Sequence, residues 1–234
     1  MISFIVACYN EEKNIVGTIN SIKKANVKLK NSNYEIVVID DGSEDFSYQI
    51  LKNLKKKNKK IRVFQNHKNL GYGGTVKKGI KISKGTHVIW VPGDNSHKPS
   101  ELYKILKFKN KFDIISTFYS NTESRSRFRD FFTKVYTPIL NFIFGLSLPY
   151  FNGVTLIRKI IFRNFEIFTN SHSFQVEIWV NIKLIDKYTY KFVPTLLNDR
   201  IKGATAFKLK NSIKVSLNIV RLIFYYTFKR IKIF

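Results

Sequence analysis

The chain has 234 residues, enough to bury a substantial core in one domain, and its 44% hydrophobic and 24% charged composition is that of a globular rather than a disordered protein. A single cysteine, Cys8, excludes an internal disulfide, and the N-terminus lacks the basic lead and small-residue cleavage site of a secretory signal, so a cytosolic chain is expected. The net charge of +25 favours anionic partners such as acidic lipid head groups or phosphorylated substrates. A solvated lysine-rich surface accounts for it equally well, and no basic stretch carries a nucleic-acid-binding motif, so nucleic acid is not an expected partner.

The first apolar run, Ile2–Cys8, has the length and continuity of a buried strand. A polar turn follows, then Ile15, Ile19 and Ile22 at helical spacing. A second strand is predicted over residues 34–39, closed by Asp40-Asp41-Gly42-Ser43, then a helix carrying Ile50, Leu51 and Leu54, and a third strand at Ile61–Gln65. Gly71, Gly73 and Gly74 precede another helix ending near Ser83, and a fourth strand covers residues 86–91. This alternation predicts an α/β, Rossmann-like fold: a mostly parallel central sheet with helices on both faces. Ligands of such sheets bind beyond the carboxyl ends of the strands. The segments there are Tyr9-Asn10-Glu11, Asp40-Asp41-Gly42-Ser43 and Pro92-Gly93-Asp94-Asn95.

The second half is less regular. Residues 135–157 carry no charge, but Pro138, Asn141, Gly145, Pro149, Asn152 and Gly153 interrupt them. The smoother part, 135–148, falls short of the ~20 residues of a membrane span and predicts a buried or interfacial helix. The tail, 211–234, mixes aliphatic and aromatic residues with Lys214, Arg221, Lys229, Arg230 and Lys232. It reads either as a basic amphipathic helix in the head-group region or as a helix docked on the domain. The expected organisation is a catalytic domain over 1–210 followed by this helix over 211–234.

Several segments resemble family 2 glycosyltransferases, especially their dolichol-phosphate mannosyltransferase-like branch. They are Val6-Ala7-Cys8-Tyr9-Asn10-Glu11-Glu12-Lys13-Asn14-Ile15, Glu35-Ile36-Val37-Val38-Ile39-Asp40-Asp41-Gly42-Ser43, and Asn66-His67-Lys68-Asn69-Leu70-Gly71-Tyr72-Gly73-Gly74. Phe151-Asn152-Gly153, Phe174-Gln175-Val176-Glu177 and Asp199-Arg200-Ile201-Lys202-Gly203 follow in the order that branch shows. The resemblance implies a GT-A type fold and a nucleotide-sugar donor. It places Ala7, Tyr9 and Glu11 around the nucleoside, with Asp40 or Asp41 contacting it. On the residues alone, Asp40-Asp41-Gly42-Ser43 is also an ordinary strand-ending turn. Gly71-Tyr72-Gly73-Gly74 lacks the G-x-G-x-x-G spacing of a dinucleotide site and is expected to form a mobile turn over the donor.

The family's metal motif commonly has two aspartates separated by one residue and often a Gln two further on. Here those positions read Pro92, Asp94 and Ser96. Asp94 is left as the metal ligand, with Mg²⁺ or Mn²⁺ expected, since hard cations use one or two carboxylates plus substrate phosphates; a loop or helix cap is its plainer role. Arg125, Arg127 and Arg129 suit a phosphate-bearing acceptor, because arginine grips phosphate through two parallel hydrogen bonds. A solvated basic loop is the alternative. By resemblance Arg200 reaches the donor diphosphate, although Gly203-Ala204-Thr205 departs from the usual Gly-x-Ser. Glu177 is placed to orient the acceptor, or to act as base if that acceptor is a hydroxyl.

The resulting expectation is an inverting enzyme that moves a hexose from a nucleotide sugar to a polyprenyl phosphate, on the cytoplasmic face of an anionic membrane. Transfer to a hydroxyl of a lipid-linked or surface glycan is the neighbouring alternative. A non-catalytic nucleotide-binding or membrane-recruiting relative is the alternative of another class, favoured by Pro92.

Overall fold

Strand β1 (Ile2–Cys8) alternates its side chains between two cores, as the period of two dictates. Phe4, Val6 and Cys8 enter one apolar cluster, and Ile5 enters the other. Strand β4 (His87–Pro92) does the same, with Ile89 and Val91 on the first side and Val88 and Trp90 on the second. Each such fully buried side chain contributes roughly 1.5–3 kcal/mol. The structure is a computed structural model describing residues 1–120, 127–196 and 209–231, with side chains described for 1–120, 134–196 and 217–228.

The elements run β1, α1 (Ile15–Lys28), β2 (Tyr34–Asp40), α2 (Ser47–Lys57), β3 (Ile61–Gln65), α3 (Tyr72–Ile82), β4, α4 (Pro99–Leu106), β5 (Ile114–Tyr119), α5 (Arg127–Phe144), β6 (Thr155–Arg158), α6 (Phe174–Ile185), β7 (Tyr190–Thr195) and α7 (Leu209–Ile231). The sheet order is β3-β2-β1-β4-β6-β5-β7. Strands β1 to β4 pair in parallel, as the sequence predicts. Strand β6 runs antiparallel between β4 and β5, a reversal with no sequence signal, because its four residues are too few to show alternation. The carboxyl ends of β1, β2, β4 and β5 therefore share one edge of the sheet, and the chain entering β6 arrives at that same edge.

The uncharged stretch divides into two structures. Helix α5 covers 127–144 and continues through the exposed Pro138, at the cost of one backbone hydrogen bond. It closes where the Leu146 N–H donates to the Asn141 carbonyl at 2.9 Å. Among the described residues no helix is long and apolar enough to cross a membrane.

Helix α7 docks through Leu222 and Tyr226, the latter edge-on to Phe144 of α5 at 5.4 Å. Its other side exposes Leu217, Val220, Phe224 and Phe228, all within about 80° of helical arc. Helix α5 likewise exposes Val135, Ile139 and Phe142, within about 60°. Both helices are thus apolar on a packed face and on a solvent face.

Candidate active site

Asp40 ends β2 and Asp41 follows it, and their neighbours give them different work. Asp41 is 4% exposed. Its Oδ1 accepts from Asn66 Nδ2 at 2.8 Å and the Leu70 N–H at 2.9 Å, and its Oδ2 from the Gly71 N–H at 3.0 Å. The carboxylate thus shapes the loop of residues 66–71 from within. Asp40 Oδ2 accepts longer bonds from the Ser43 N–H and Gln65 Nε2, both at 3.2 Å, while its Oδ1 is buried without a partner.

Tyr9 and Ala7 lie half-buried on the same edge, where the Ala7 carbonyl accepts from the Gly93 N–H at 3.0 Å. The Glu11 carbonyl starts α1 by accepting from the Asn14 and Ile15 amides, and Glu11 Oε2 accepts from Asn14 Nδ2 at 2.8 Å. Glu11 thereby fixes the turn that carries Tyr9.

The glycine segment differs from the mobile turn expected. Gly71, at φ +80°, leads directly into the first turn of α3, which lies against residues 170–171. A Cβ on Gly73 would overlap the Ser171 carbonyl oxygen, and the Gly74 N–H donates to the Asn170 carbonyl at 3.2 Å. These glycines therefore permit close approach of the two segments. Tyr72 stacks on His172 at 4.9 Å, and burial together with the nearby Asp94 charge raises its phenol pKa.

Asp94 follows β4 at this edge, half-buried. Ser96 holds its Oδ1 through a backbone N–H at 3.1 Å and a hydroxyl at 2.6 Å. Asn95, at φ +56°, anchors the turn to α1 through its N–H to Thr18 Oγ1 at 2.9 Å. Asp94 Oδ2 has no hydrogen-bond partner among the described residues, and no cluster of three or more His, Cys, Asp or Glu suited to a metal occurs among them. A single free carboxylate oxygen fits a cation that a diphosphate also ligates, and does not make a preformed protein cage. His97 lies beside Asp94 and Glu101, 4% exposed and stacked on Tyr119 at 6.1 Å. Burial depresses its pKa to about 4, against the opposing influence of those two carboxylates.

Glu177 is not brought to the open edge. It is 1% exposed, and its two oxygens accept from the Phe168 N–H at 2.7 Å and the Thr169 N–H at 2.9 Å. Lys77 holds the same segment through the Ile167 and Phe168 carbonyls at 3.0 and 3.2 Å. This pair fixes the loop that backs the α3 glycines. Arg125 and Arg200 lie outside the described residues, and Arg127 and Arg129 are described only as backbone in the first turn of α5. The chain leading toward Arg200 is held at the Leu196 N–H, which donates to Glu101 Oε2 at 2.9 Å.

Among the described residues, Asn14 Oδ1, Asp40 Oδ1, His87 Nε2 and Asn152 Oδ1 are buried without partners. Three of the four lie at the carboxyl edge, where a ligand would complete them; His87 begins β4 at the opposite edge. Asn152 appears in the sequence only within Phe151-Asn152-Gly153, and no local signal marks its amide as unpaired. The edge as a whole offers an unpartnered carboxylate oxygen at β2, a second at β4, and polar and aromatic groups beyond it.

Residues 3–169 match glycosyl transferase family 2, and the chain belongs to that family. It is 25% identical over 233 residues to an uncharacterized protein of Methanocaldococcus jannaschii, covering 94% of this chain and 98% of that one. It is 30% identical over 118 residues to a dolichyl-phosphate beta-glucosyltransferase of Dictyostelium discoideum, covering 48% of this chain but only 36% of that protein. Among solved structures it is similar to glucosyl-3-phosphoglycerate synthase from Mycobacterium tuberculosis in complex with Mn²⁺, UDP and phosphoglyceric acid. The TM-score is 0.71 at 15% identity, with 97% of this chain and 78% of that one covered. S. aureus TarS aligns with a TM-score of 0.60 at 20% identity, covering 84% and 59%. The fold is the GT-A glycosyltransferase fold, as the strand pattern and the resemblance imply.

Proposed function

We propose that this family 2 glycosyltransferase moves a hexose from a nucleotide sugar to a polyprenyl phosphate at an anionic membrane surface, with inversion, as in the dolichol-phosphate mannosyltransferase-like branch. The observation that carries this reading is the apolar face of α5 and α7. Among the described residues, seven of the fourteen exposed large hydrophobic residues belong to these two packed helices, and α5 is the next element after β5, whose carboxyl end lies at the candidate edge. Arg221 is exposed beside the α7 stripe. An apolar stripe flanked by cations suits the interface of an acidic bilayer, where a polyprenyl phosphate resides. Similarity to dolichyl-phosphate beta-glucosyltransferase over 118 residues supports the acceptor class.

In this mechanism Asp40 uses its unpartnered Oδ1 to accept a hydrogen bond from the base or ribose, and Glu11 holds the turn that carries Tyr9. Asp94 would hold Mg²⁺ or Mn²⁺ through Oδ2, together with the donor diphosphate. Such a cation, when bound, neutralises charge that grows on the diphosphate as the bond to the sugar breaks. Arg200 adds cationic support to the leaving group, and Arg125, Arg127 and Arg129 receive the acceptor phosphate. An acceptor phosphate oxygen attacks the anomeric carbon, and the bond to the diphosphate breaks with its electron pair leaving on the nucleoside diphosphate. No proton is removed, because the acceptor is already an anion. The enclosed state of Glu177 agrees with this, since a hydroxyl acceptor would need a base with a free oxygen.

The test is sugar transfer by purified protein from UDP- and GDP-sugars to polyprenyl phosphate in acidic vesicles. Transfer is expected to require Mg²⁺ or Mn²⁺ and to be lost in Asp94→Ala, and Phe224→Ser/Phe228→Ser is expected to weaken vesicle binding. Transfer only to glycan hydroxyls would replace the acceptor assignment. Nucleotide binding without transfer to any acceptor would favour the non-catalytic relative.

A further inference from the structure

Asn152 has an unexplained side chain. Its Oδ1 is buried and unpartnered, and its Nδ2 has no hydrogen-bond partner among the described residues. Exchanging the amide oxygen and nitrogen would only bury a donor in place of an acceptor. Such an atom normally costs stability, and nothing in the fold uses it.

The strand pairing fixes where this residue lies. In the antiparallel pairing, β6 places Leu156 opposite Ile89 and Thr155 opposite Ser116. Continuing that register brings residue 152 level with Gly93 on one side and Tyr119 on the other. The backbone is fixed there. The Val154 N–H donates to Thr117 Oγ1 at 3.0 Å, and a Cβ on Gly153 would overlap the Thr117 carbonyl. Around this point are the His97–Tyr119 stack and the Tyr119–Tyr150 edge contact, with centroids 6.1 and 5.3 Å apart. Residue 152 is therefore level with Tyr119, whose ring meets those of His97 and Tyr150, groups that combine apolar faces with polar tips as a sugar does.

The order of strands supplies the direction. Asp40 ends β2, Asp94 follows β4, and Asn152 precedes β6, in the sheet order β2-β1-β4-β6. Neighbouring strands are about 4.8 Å apart, so the diphosphate position lies about two spacings (~10 Å) from the nucleoside position and Asn152 about one spacing further. A nucleotide sugar laid across this edge reads in the same order: nucleoside, diphosphate, sugar.

We infer that the Asn152 side-chain amide binds a hydroxyl of the transferred sugar and helps to select which sugar the enzyme accepts. This rests on the donor reading above and adds a specificity-determining residue to it. The amide remains unpaired in the free protein and is completed by the donor.

Asn152→Ala and Asn152→Leu test this. Calorimetry measures wild type and both variants against UDP with UDP-glucose, UDP-galactose and UDP-N-acetylglucosamine, and against GDP with GDP-mannose. Removing an unsatisfied polar group is expected to leave Tm unchanged or raise it, so both variants fold. Affinity for the bare nucleotide is expected to be unchanged, while affinity for the preferred nucleotide sugar falls about three- to tenfold and the ratio between sugars sharing a nucleotide shrinks. If wild type binds none of these nucleotides, the donor reading falls and this inference with it. If wild type binds a sugar donor and the variants weaken nucleotide and nucleotide sugar equally, or alter only the acceptor KM, the inference alone is overturned. A marked loss of Tm in both variants would also overturn it, by assigning Asn152 to the fold.

Discussion

Replacing Glu177 by Gln separates a loop anchor from a catalytic base. The carboxylate receives two backbone N–H groups at 2.7 and 2.9 Å and is 1% exposed. Glutamine keeps one carbonyl oxygen but turns an NH₂ toward the other N–H, donor against donor. One buried amide then loses its partner, at roughly 1–3 kcal/mol, and the remaining bond weakens from charge-assisted to neutral, at about 1 kcal/mol more. Relief of the carboxylate's own desolvation offsets part of this, leaving an expected net loss of about 2 kcal/mol. The second tether weakens as well: burial lowers the pKa of Lys77, and the Glu177 charge partly restores it. Glu177→Gln should therefore lower the urea midpoint and speed amide exchange across residues 167–171. The sugar-transfer KM should rise more than kcat falls, because a displaced loop disturbs the α3 glycines beside the proposed donor position. If Glu177→Gln kept wild-type stability and exchange while kcat collapsed, the anchoring argument would be refuted and the residue would return to the role of base.

The two adjacent aspartates should behave oppositely. Asp41→Asn breaks up a buried set of three hydrogen bonds and is expected to cost about 2 kcal/mol in urea unfolding. Asp40→Asn leaves stability nearly unchanged but weakens nucleotide binding about tenfold by calorimetry; equal effects of the two would contradict the division drawn between them. The third expectation concerns pH. Burial holds His97 at about 4 in the folded protein, below the ordinary 6.5, so the unfolded chain takes up its proton first. The stability it leaves intact above 6.5 is lost as pH falls toward 4, by roughly 2 kcal/mol between pH 7 and pH 5. That loss should be missing in His97→Gln when urea midpoints are compared at the two pH values.

The amino-acid sequence by itself determined the parallel α/β half of the protein and the edge where its chemistry lies. Short apolar runs such as Ile2–Cys8 and residues 36–39, bounded by turn residues, are strands buried on both faces, and strand polarity then sends Tyr9, Asp40 and Asp94 to one side. Local pattern could not reveal the antiparallel β6, which is only four residues long. Nor could it show that Asp41 shapes a loop while Asp40 keeps an unpartnered oxygen, since the partners that distinguish the two carboxylates lie 25 to 30 residues away. The same holds for Glu177, spaced like a functional acid yet enclosed by the backbone amides of residues 168 and 169, and for the α3 glycines, whose constraint comes from residues 170–171. Composition in the last helix showed apolar and basic residues together, but only packing decided that Leu222 and Tyr226 face inward while Phe224 and Phe228 remain exposed. Periodicity is a property of neighbours along the chain, whereas a hydrogen-bond partner or a covered face is supplied by residues that only folding brings near.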